Sequence, residues 1–541
     1  MMMEALFTMS YNKPEWLTKY PTEIFMGING PKLDAYALAL EGWRRGLTLK
    51  WHSKDLPAFK EMTTWYVDRP GQLFSLADHE KEHFFFRTRG DLVSNQAVEI
   101  GADKATTKRY LEKANVPTPK GKKFNGEISN QEIIDYAEKL GFPLVIKPID
   151  GSFGEGITAN ISNISEFTEA LKYTRHQQNY KNIIVEKHIT GEDYRLYVVG
   201  DQVVSAVHRT PPYVVGDGKS TIKKLIKIKN KKRLANPHLA SRLIDIDREV
   251  INLINRSGYT LKSILKKGEH LLLRSKSNLS AGGDAHEKLD QLNDRIKSIA
   301  VEAVKAIPEL HHGGVDLIIA QDQSYATVIE INATAHIGSS LFPGEGKAKD
   351  VPAAIIDYYF PESIKESQDS PIVYFAYKEK LSLLANDSLQ SITVLEPPVG
   401  QLEKTTYRVK GKVTSRRYQS KIKNWSLAQS NLSGYLVKKS RRVIEVVVVT
   451  NKQQTLDQFE SILESASNQV TVEKYKNVDD NKPVKVGFSI MRESKLIWEL
   501  KQKRYKYQFI RFILTGIEGI NYLFQSKFVS KIFKRRKETG N

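Results

Sequence analysis

The stretch Pro143–Gly156, PLVIKPIDGSFGEG, joins a short apolar segment to a glycine-rich loop. The segment PLVIK predicts a buried strand that ends at Lys147. Gly151, Gly154 and Gly156 carry no Cβ, so the backbone N–H groups of the loop can close over phosphate oxygens, and Lys147 adds a positive charge where the loop begins. The stretch therefore predicts a phosphate-binding loop, although a tight structural turn has the same local pattern.

Two apolar stretches further along, GVDLII (314–319) and ATVIEI (326–331), predict a strand pair that carries polar side chains. Glu330 and Asn332 share a face because strand side chains alternate, and Asp316 lies on the neighbouring strand. Two carboxylates and an amide oxygen are ligands suited to Mg²⁺, and burying two carboxylates without a cation is unfavourable. The pattern predicts a magnesium site; the alternative is that the carboxylates face water.

A strand between these two regions is a candidate for nucleotide contacts. Residues 182–187, NIIVEK, predict a strand whose edge can offer backbone groups to adenine, and a carboxylate just beyond it can hold ribose hydroxyls. Two more strands, 194–199 and 202–208, follow and are joined by the hairpin signal Gly200-Asp201. Each of these features is common when it occurs alone.

The order of the motifs resembles the ATP-grasp superfamily. The matching residues are Asp103-Lys104, Lys147-Pro148 with the glycine loop, Glu186-Lys187, Asp193, Asp316, Glu330 and Asn332. The sequence is most similar to the ATP-grasp domain of cyanophycin synthetases and of bifunctional glutathione synthetases. Segments 207–222 and 274–285 also resemble that subgroup, and the resemblance covers roughly residues 75–361.

The resemblance implies a site for ATP and two Mg²⁺ ions, with Mn²⁺ as a substitute. It assigns phosphate, adenine and ribose contacts to Lys104, Lys147, Ser152, Gly154, Gly156, Glu186, Lys187, Ile189 and Asp193, and the metal ions to Asp316, Glu330 and Asn332. It assigns catalytic or substrate contacts to Arg195, Arg209, Arg274 and Asn278, with Gly282 and Gly283 shaping the loop for the acceptor.

The activity implied is that of a carbon–nitrogen ligase, which joins a carboxylate to an amine through an acyl phosphate and releases ADP and phosphate. Alternatives are a glutathione synthetase-type ligase and a non-catalytic nucleotide-binding protein. The chain departs from both look-alikes: no G-x-x-x-x-G-K-[ST] loop is found, and only about 95 residues precede the ATP-grasp region. We therefore expect neither whole enzyme.

The predicted fold class is α/β and α+β multidomain. Predicted helix 31–45 and strands 47–51 and 83–87 indicate a small N-terminal α/β domain over residues 1–96, followed by the two-part ATP-grasp region over residues 97–361. A polar linker is predicted at 361–371.

The next segment, residues 371–476, resembles a ferredoxin-like acylphosphatase-type domain. In that family's phosphate loop the catalytic arginine falls near Gln419 and the catalytic asparagine near Lys438, and both are departures. Arg416 and Arg417 could still bind an anion. We expect a degenerate domain without hydrolytic activity, used for substrate binding or for structure.

The composition sets further limits. With no cysteine, the chain has no disulfide, thiolate zinc site or cysteine nucleophile. We expect a cytoplasmic protein, because no signal peptide or membrane span is evident. The net charge of +20 is uneven, with a basic block over residues 219–233 and a basic, amphipathic tail over residues 483–541.

The basic blocks suggest acidic carboxylate and amine substrates, of small-molecule or peptide kind. The tail could instead lie on the inner face of a membrane or pack on its own protein. No nucleic-acid partner is expected, because the basic blocks lack interleaved aromatic residues. Homo-oligomerisation is left open.

Overall fold

The computed structural model describes residues 14–67, 69–149, 156–363, 373–385, 389–467, 469–475 and 482–492. The chain divides into two compact units. The larger unit comprises residues 1–22 and 29–401, and the smaller unit comprises residues 23–28 and 402–541, as far as each is described. Helices and mainly antiparallel sheets occur in both, so the mixed α/β multidomain architecture is confirmed at this level.

The first elements of the chain form an antiparallel sheet with a buried helix. After the short helix α1 (Thr22–Phe25), most of which belongs to the smaller unit, they are α2 (Pro31–Arg44), β1 (Thr48–His52), α3 (Pro57–Lys60), β2 (Leu73–Ala77), β3 (Glu82–Phe86), β4 (Arg89–Gly90) and α4 (Asn95–Ala102). The strands pair in the order β1-β2-β3-β4. Pro31 begins α2 at a position where a backbone N–H is not needed, and almost all of this helix is buried. The helix predicted at 31–45 and the strands predicted at 47–51 and 83–87 are confirmed.

A four-stranded sheet covered by two helices comes next. Its elements are α5 (Lys104–Lys113), β5 (Gly121–Phe124), α6 (Asn130–Leu140), β6 (Leu144–Pro148), β7 (Thr158–Ile161), α7 (Ile164–Lys172) and β8 (Ile183–Lys187). The strand order is β5-β8-β6-β7. Phe124, Ile146 and Val185 join the apolar faces of α6 and α7 in one core. The side chain of Ser129 caps α6 by accepting from the N–H of Glu132, which fixes where this helix begins.

A five-stranded antiparallel sheet forms the second half of the predicted ATP-grasp region. Its elements are β9 (Glu192–Val199), β10 (Gln202–Thr210), β13 (Asp284–Glu287), α10 (Asp294–Lys305), β14 (His312–Ile319), β15 (Ala326–Asn332), α11 (Gly338–Leu341) and α12 (Val351–Tyr359), with an insertion over residues 211–283 before β13. The strand order is β13-β10-β9-β14-β15. Gly200 has a φ of 56°, the left-handed conformation that the predicted hairpin between β9 and β10 requires.

The insertion between β10 and β13 has a small core of its own. It contains β11 (Tyr213–Val215), α8 (Ile222–Arg233), α9 (Arg248–Arg256) and β12 (His270–Leu272), and β11 pairs with β12. Val214, Ile226, Val250 and Leu271 pack together inside it. The basic block of the sequence therefore lies mostly on α8. Ile222, Leu225 and Ile226 of this helix face the core, and its exposed lysines are Lys223, Lys224, Lys227, Lys231 and Lys232.

The larger unit ends with a strand that returns to its first sheet. The elements are β16 (Val373–Tyr374), α13 (Tyr377–Leu384) and β17 (Ser391–Thr393). Ile392 of β17 pairs with Trp51 of β1, and the ring of Phe375 packs edge-on against the same tryptophan. The sequence predicts the start of the next domain at residue 371, whereas the structure places the boundary between the two units after residue 401. Residues 373–401 fold with the larger unit because β17 completes its sheet.

The described strands and helices of the smaller unit run in the order β-α-β-β-α-β, with two short strands at the end. They are β18 (Glu403–Gly411), α14 (Arg416–Leu427), β19 (Leu432–Lys438), β20 (Val443–Thr450), α15 (Gln453–Ser465), β21 (Val470–Tyr475), β22 (Val484–Lys485) and β23 (Phe488–Arg492). The sheet order is β21-β18-β20-β19-β23, with only β23 parallel to its neighbour. Residues 488–492 belong to this sheet, and the rest of the predicted tail, from residue 493, lies outside the described residues.

The helices of the described residues are short or polar in comparison with a membrane-spanning helix. None of them combines the length and the apolar composition that a membrane span needs.

Candidate nucleotide- and metal-binding site

Lys147 and Glu186 lie on the open face of the four-stranded sheet. In β6 and β8, Ile146 and Val185 point into the core under α6 and α7, so the alternating Lys147 and Glu186 point the other way. The ammonium of Lys147 lies 2.6 Å from Oε2 of Glu186, and the two side chains are only 8% and 6% exposed. The structure thus brings together two residues that the sequence assigned to ATP.

Lys108 is a second cation on the same carboxylate, and no sequence motif indicated it. Its Nζ lies 3.3 Å from Oε1 of Glu186 and also donates to the carbonyl of Pro119. It lies on α5, one helical turn beyond Lys104. Gly121 permits the close approach, because a Cβ there would lie 2.5 Å from Cγ of Glu186. Glu186 therefore bridges two lysines, one ammonium on each oxygen.

A cleft of about 590 Å³ opens between α5 and this face of the sheet. Its lining includes Asp103, Lys108, Lys123 and Ile184. Asp103 caps α5, accepting at 2.6 Å from the N–H of Thr106, so the carboxylate is fixed at the start of the helix. The cleft has cationic groups on both of its walls, which suits an anionic ligand.

The remaining residues assigned to ATP have mixed outcomes. Lys104 begins α5, and Lys187 donates to the carbonyl of Phe142 at 3.1 Å. Ile189 lines a second cleft of about 460 Å³ beside the linker from β8 to β9. Ser152 and Gly154 lie outside the described residues, so the glycine loop stays a prediction.

Gly156 is the described end of that loop. Its φ is 74°, and a Cβ there would lie 2.9 Å from the ring of Pro148 and 3.0 Å from that of Tyr180. Glycine is therefore required where the chain turns back over the end of β6.

A row of charged side chains crosses the five-stranded sheet. Arg209 lies opposite Asp193, and Arg195 lies opposite Asp316. Asp316 in turn lies opposite Glu330 of β15. Directly opposed residues share a face, so these five predicted residues form one band across four strands.

Ion pairs connect Asp193, Arg195, Arg209 and Asp316 of this band. Arg195 forms a bidentate ion pair with Asp316, in which Nε donates to Oδ1 at 2.6 Å and Nη2 donates to Oδ2 at 2.8 Å. Arg209 lies between Asp193, at 2.5 Å, and Asp316, at 3.1 Å. Burial would raise the pKa of Asp316, but the two guanidiniums outweigh it and hold the pKa below its ordinary value. The carboxylate is thus ionised and fixed in direction.

Two observations on Asp316 and Asn332 are compatible with binding of a divalent cation. Asp316 accepts three N–H groups, whereas a carboxylate has about four acceptor sites, so one direction remains for a cation. The amide nitrogen of Asn332 is buried without a hydrogen-bond partner, and a half-turn of the amide places its oxygen there. Across the described ranges no group of three or more His, Cys, Asp or Glu side chains forms a metal cluster. The predicted metal-binding set contains only two side chains of these types, Asp316 and Glu330, because its third member is the amide of Asn332.

The predicted acceptor loop contacts the charged band through Ser277, a residue the sequence did not single out. The hydroxyl of Ser277 donates to Oδ2 of Asp193 at 2.5 Å. A Cβ at Gly283 would lie 2.6 Å from the carbonyl of Ser277 and 2.9 Å from that of Asn278, so this turn needs glycine. Asn278 therefore lies in the loop, beside the band. Gly282, the preceding residue, has a φ of 97° and is therefore in the left-handed conformation.

Arg274 is engaged away from the band. Its guanidinium pairs with Asp247 and Glu249 at the start of α9. The structure therefore does not bring this predicted residue together with Arg195 and Arg209.

A buried aspartate of α2 holds the segment that follows β15. Oδ1 of Asp34 accepts from the N–H groups of Ile337 at 3.1 Å and Gly338 at 3.2 Å, and Oδ2 pairs with His336 at 2.5 Å. This contact spans some three hundred residues of sequence, and no local pattern could have indicated it. It fixes the chain just beyond Asn332.

The two sheets with their charged faces lie in a part of the chain that resembles a known class of protein domain. Residues 101–225 match the family model described as the RimK-like ATP-grasp domain. Over these residues the chain is therefore similar to ATP-grasp domains, and ATP-grasp ligases use ATP with Mg²⁺ or Mn²⁺.

Curated relatives extend the match beyond that region. The cyanophycin synthetase of Trichormus variabilis is 34% identical over 281 residues, which cover 51% of this chain and 31% of the relative. The glutathione biosynthesis bifunctional protein GshAB of Clostridium perfringens is 29% identical over 364 residues, covering 64% and 43%. The match spans about a third of the length of the cyanophycin synthetase.

Among solved structures, a bifunctional glutathione synthetase from Pasteurella multocida is 27% identical. It covers 54% of this chain and 40% of its own, with a TM-score of 0.43.

Proposed function

We propose that this chain is an ATP- and Mg²⁺-dependent ligase that joins a carboxylate to an amine. The observation that carries the proposal is the band of Asp193, Arg195, Arg209, Asp316 and Glu330 on one sheet, in the same unit as the Lys147–Glu186 pair on the other. Phosphoryl transfer requires cations and metal-binding carboxylates placed in this way.

The reaction that these groups suit has two steps. A carboxylate oxygen of the substrate attacks the γ-phosphorus of ATP, ADP leaves, and an acyl phosphate forms. The amine nitrogen then attacks the acyl carbon, loses a proton and expels inorganic phosphate. A carboxylate alone is a poor electrophile, so the first step is what makes the second favourable.

The chain's own residues have separate roles in this scheme. Lys104 and Lys147 would hold phosphate oxygens, and Asp316, Glu330 and Asn332 would hold Mg²⁺, which neutralises the charge of the transferred group. Arg195 and Arg209 fix the direction of the Asp316 carboxylate. The acceptor amine would enter near Ser277 and Asn278.

The first test is ADP release with ATP and Mg²⁺ across a panel of amino acids, dipeptides and glutamyl compounds. One carboxylate–amine pair should stimulate release, and the Asp316→Ala/Glu330→Ala variant should lose that stimulation. Stimulation that persists in this variant would contradict the proposed metal site. No stimulation by any pair would favour a non-catalytic nucleotide-binding protein.

An acidic acceptor is the substrate class that the charge of the insertion favours. The exposed lysines of α8 have no ion-pair partner among the described residues: Lys223, Lys224, Lys227, Lys231 and Lys232. On the buried side of the same helix, Arg233 donates to the carbonyl of Gly283, so α8 is tied to the acceptor loop. An anionic chain on α8 would therefore lie close to that loop.

Changing Lys223, Lys224, Lys227 and Lys231 to Gln should raise the KM of acidic acceptors and leave ATP binding unchanged. The control is Lys297→Gln with Lys305→Gln on α10, which removes two ion-paired lysines, and Lys223→Gln with Lys224→Gln on α8 is the variant with the same change of charge. An equal effect of both sets would contradict a specific role of α8.

A glutathione synthetase-type ligase is the second candidate. It is favoured by the match to GshAB, which covers more of this chain than the other relatives described. Activity with γ-glutamylcysteine and glycine, and with no other pair, would select it.

For the smaller unit we propose a degenerate acylphosphatase-like domain. Support comes from its β-α-β-β-α-β order with the first and third strands at the centre of the sheet, the ferredoxin-like arrangement. Gln419 and Lys438 stand where the family's catalytic arginine and asparagine fall. We expect no hydrolysis of acetyl phosphate; turnover abolished by Arg416→Ala would contradict this.

The remaining proposals concern location and assembly. A cytoplasmic protein with peripheral contact at the inner membrane face, through the basic tail, is consistent with the sequence. Deleting residues 500–541 should then reduce membrane partition in cell fractionation, and unchanged partition would contradict the contact. Homo-oligomerisation is to be measured by light scattering.

A further inference from the structure

We propose that Lys108 is a positioning residue for ATP, acting through Glu186 to release Lys147 for the nucleotide. This inference rests on the proposed function. Lys108 has no role in the sequence motifs, and its importance follows from the geometry of three side chains.

Lys147 is committed to Glu186 in the structure. Their 2.6 Å contact is a close ion pair, and both side chains are more than nine-tenths buried. A phosphate oxygen that recruits Lys147 would have to weaken this contact. Breaking a buried ion pair leaves a charge without a partner, which is strongly unfavourable.

Lys108 changes that balance because it contacts the other oxygen of the same carboxylate. It lies 3.3 Å from Oε1, so Glu186 keeps a cation even when Lys147 turns toward a ligand. Two ammoniums and one carboxylate also leave a net charge of +1 in the cluster, and without Lys108 the net charge would be zero. A cluster of buried side chains with a net positive charge attracts ATP more strongly than a neutral cluster.

The anchoring of Lys108 suits this role. Its ammonium also donates to the carbonyl of Pro119 and lies 3.5 Å from that of Gly121, so it is held at the beginning of β5. The side chain thus stays with Glu186 and is not itself placed to follow the nucleotide.

The test compares Lys108→Met with Lys108→Arg, and with the exposed Lys113→Met on the same helix as the control. Titration of Mg-ATP should give a Kd at least about tenfold higher for Lys108→Met. Wild-type affinity is expected for Lys113→Met, and Lys108→Arg should lie within about threefold of it because the charge is kept. The KM for ATP should rise in parallel, while kcat at saturating ATP stays within about twofold.

The double variant Lys108→Met/Glu186→Gln separates this role from a structural one. The neutral glutamine amide no longer binds Lys147 as an ion, so the affinity for Mg-ATP should recover most of the loss. If Lys108 only supports the fold, the double variant will not recover, and the melting temperature will fall in parallel with the affinity.

Wild-type affinity in Lys108→Met, or no recovery in the double variant, overturns the proposal. If the wild-type protein itself does not bind Mg-ATP, the proposed function fails together with this inference. Binding without ligation would leave the inference intact and contradict only the activity.

Discussion

The two sheets of the predicted ATP-grasp region hold their key carboxylates with different cations. On the four-stranded sheet, Glu186 bridges Lys108 and Lys147. On the five-stranded sheet, Asp316 is held by Arg195 and Arg209. A lysine ammonium is a point charge on a flexible stem, whereas a guanidinium is a planar fork that fixes direction. We propose that the first cluster exchanges a partner for a ligand, and that the second holds a carboxylate in a set direction for a metal ion.

The largest effect is expected when the two carboxylates of the proposed metal site, Asp316 and Glu330, are removed. Asp316→Ala with Glu330→Ala should lower ligation by about 10³-fold or more, because the transferred charge would lose its counter-charge. Mg-free ATP binding at the lysine cluster should change little. Steady-state ADP release and nucleotide titration measure the two. Activity within about tenfold of wild type would mean that the metal lies elsewhere.

Removing the guanidinium of Arg195 should mainly lower the free energy of unfolding. Arg195→Met leaves the buried Asp316 carboxylate with one cation and should lower the free energy of unfolding by about 3 kcal/mol. Urea denaturation measures it, with the exposed Arg256→Met on α9 as the control. A loss no larger than that of the control would show that the fork does not hold Asp316.

Acidity should weaken the ion pairs of Asp316. The pKa of folded Asp316 lies below its ordinary value, so its stabilisation is present above about pH 4 and is lost as pH falls through the folded pKa. The stability gap between wild type and Asp316→Asn should therefore narrow by about 2 kcal/mol from pH 5 toward pH 2. Urea curves at stepped pH measure the gap, and a gap independent of pH would contradict the pairing.

The smallest expected effect concerns the acceptor loop. Ser277→Ala removes the hydroxyl that donates to Asp193 and should weaken acceptor binding by about 1.5 kcal/mol, seen as a higher KM for the amine with the KM for ATP unchanged. Ser275→Ala in the same segment is the control. An equal rise in both KM values would indicate that the loop does not select the acceptor.

Local patterns were sufficient to predict much of the central region. The strands that carry Lys147, Glu186, Asp316 and Glu330 were predicted, and the structure places these residues on polar sheet faces. Periodicity and alternation carry that information within ten or so residues.

What the sequence missed depends on contacts between distant segments. Lys108 looks like any helix lysine until β8 places Glu186 beside it, and Asp34 is buried only because residues 336–338 return to it. Arg274 matched a motif, yet Asp247 and Glu249 take up its charge. Such choices among partners are made by tertiary packing, which no single stretch records.

The strand β17 has a consequence for the order in which the protein folds. Lys50 pairs with Thr393, so the two edges of this contact are separated by 393 − 50 = 343 residues. During synthesis, β1 must therefore wait with an unpaired edge until most of the chain has emerged, and such edges attract other strands. A chain cut at the predicted linker near residue 370 would keep that edge open permanently. We expect such a fragment to aggregate, whereas one ending after residue 401 should remain dispersed.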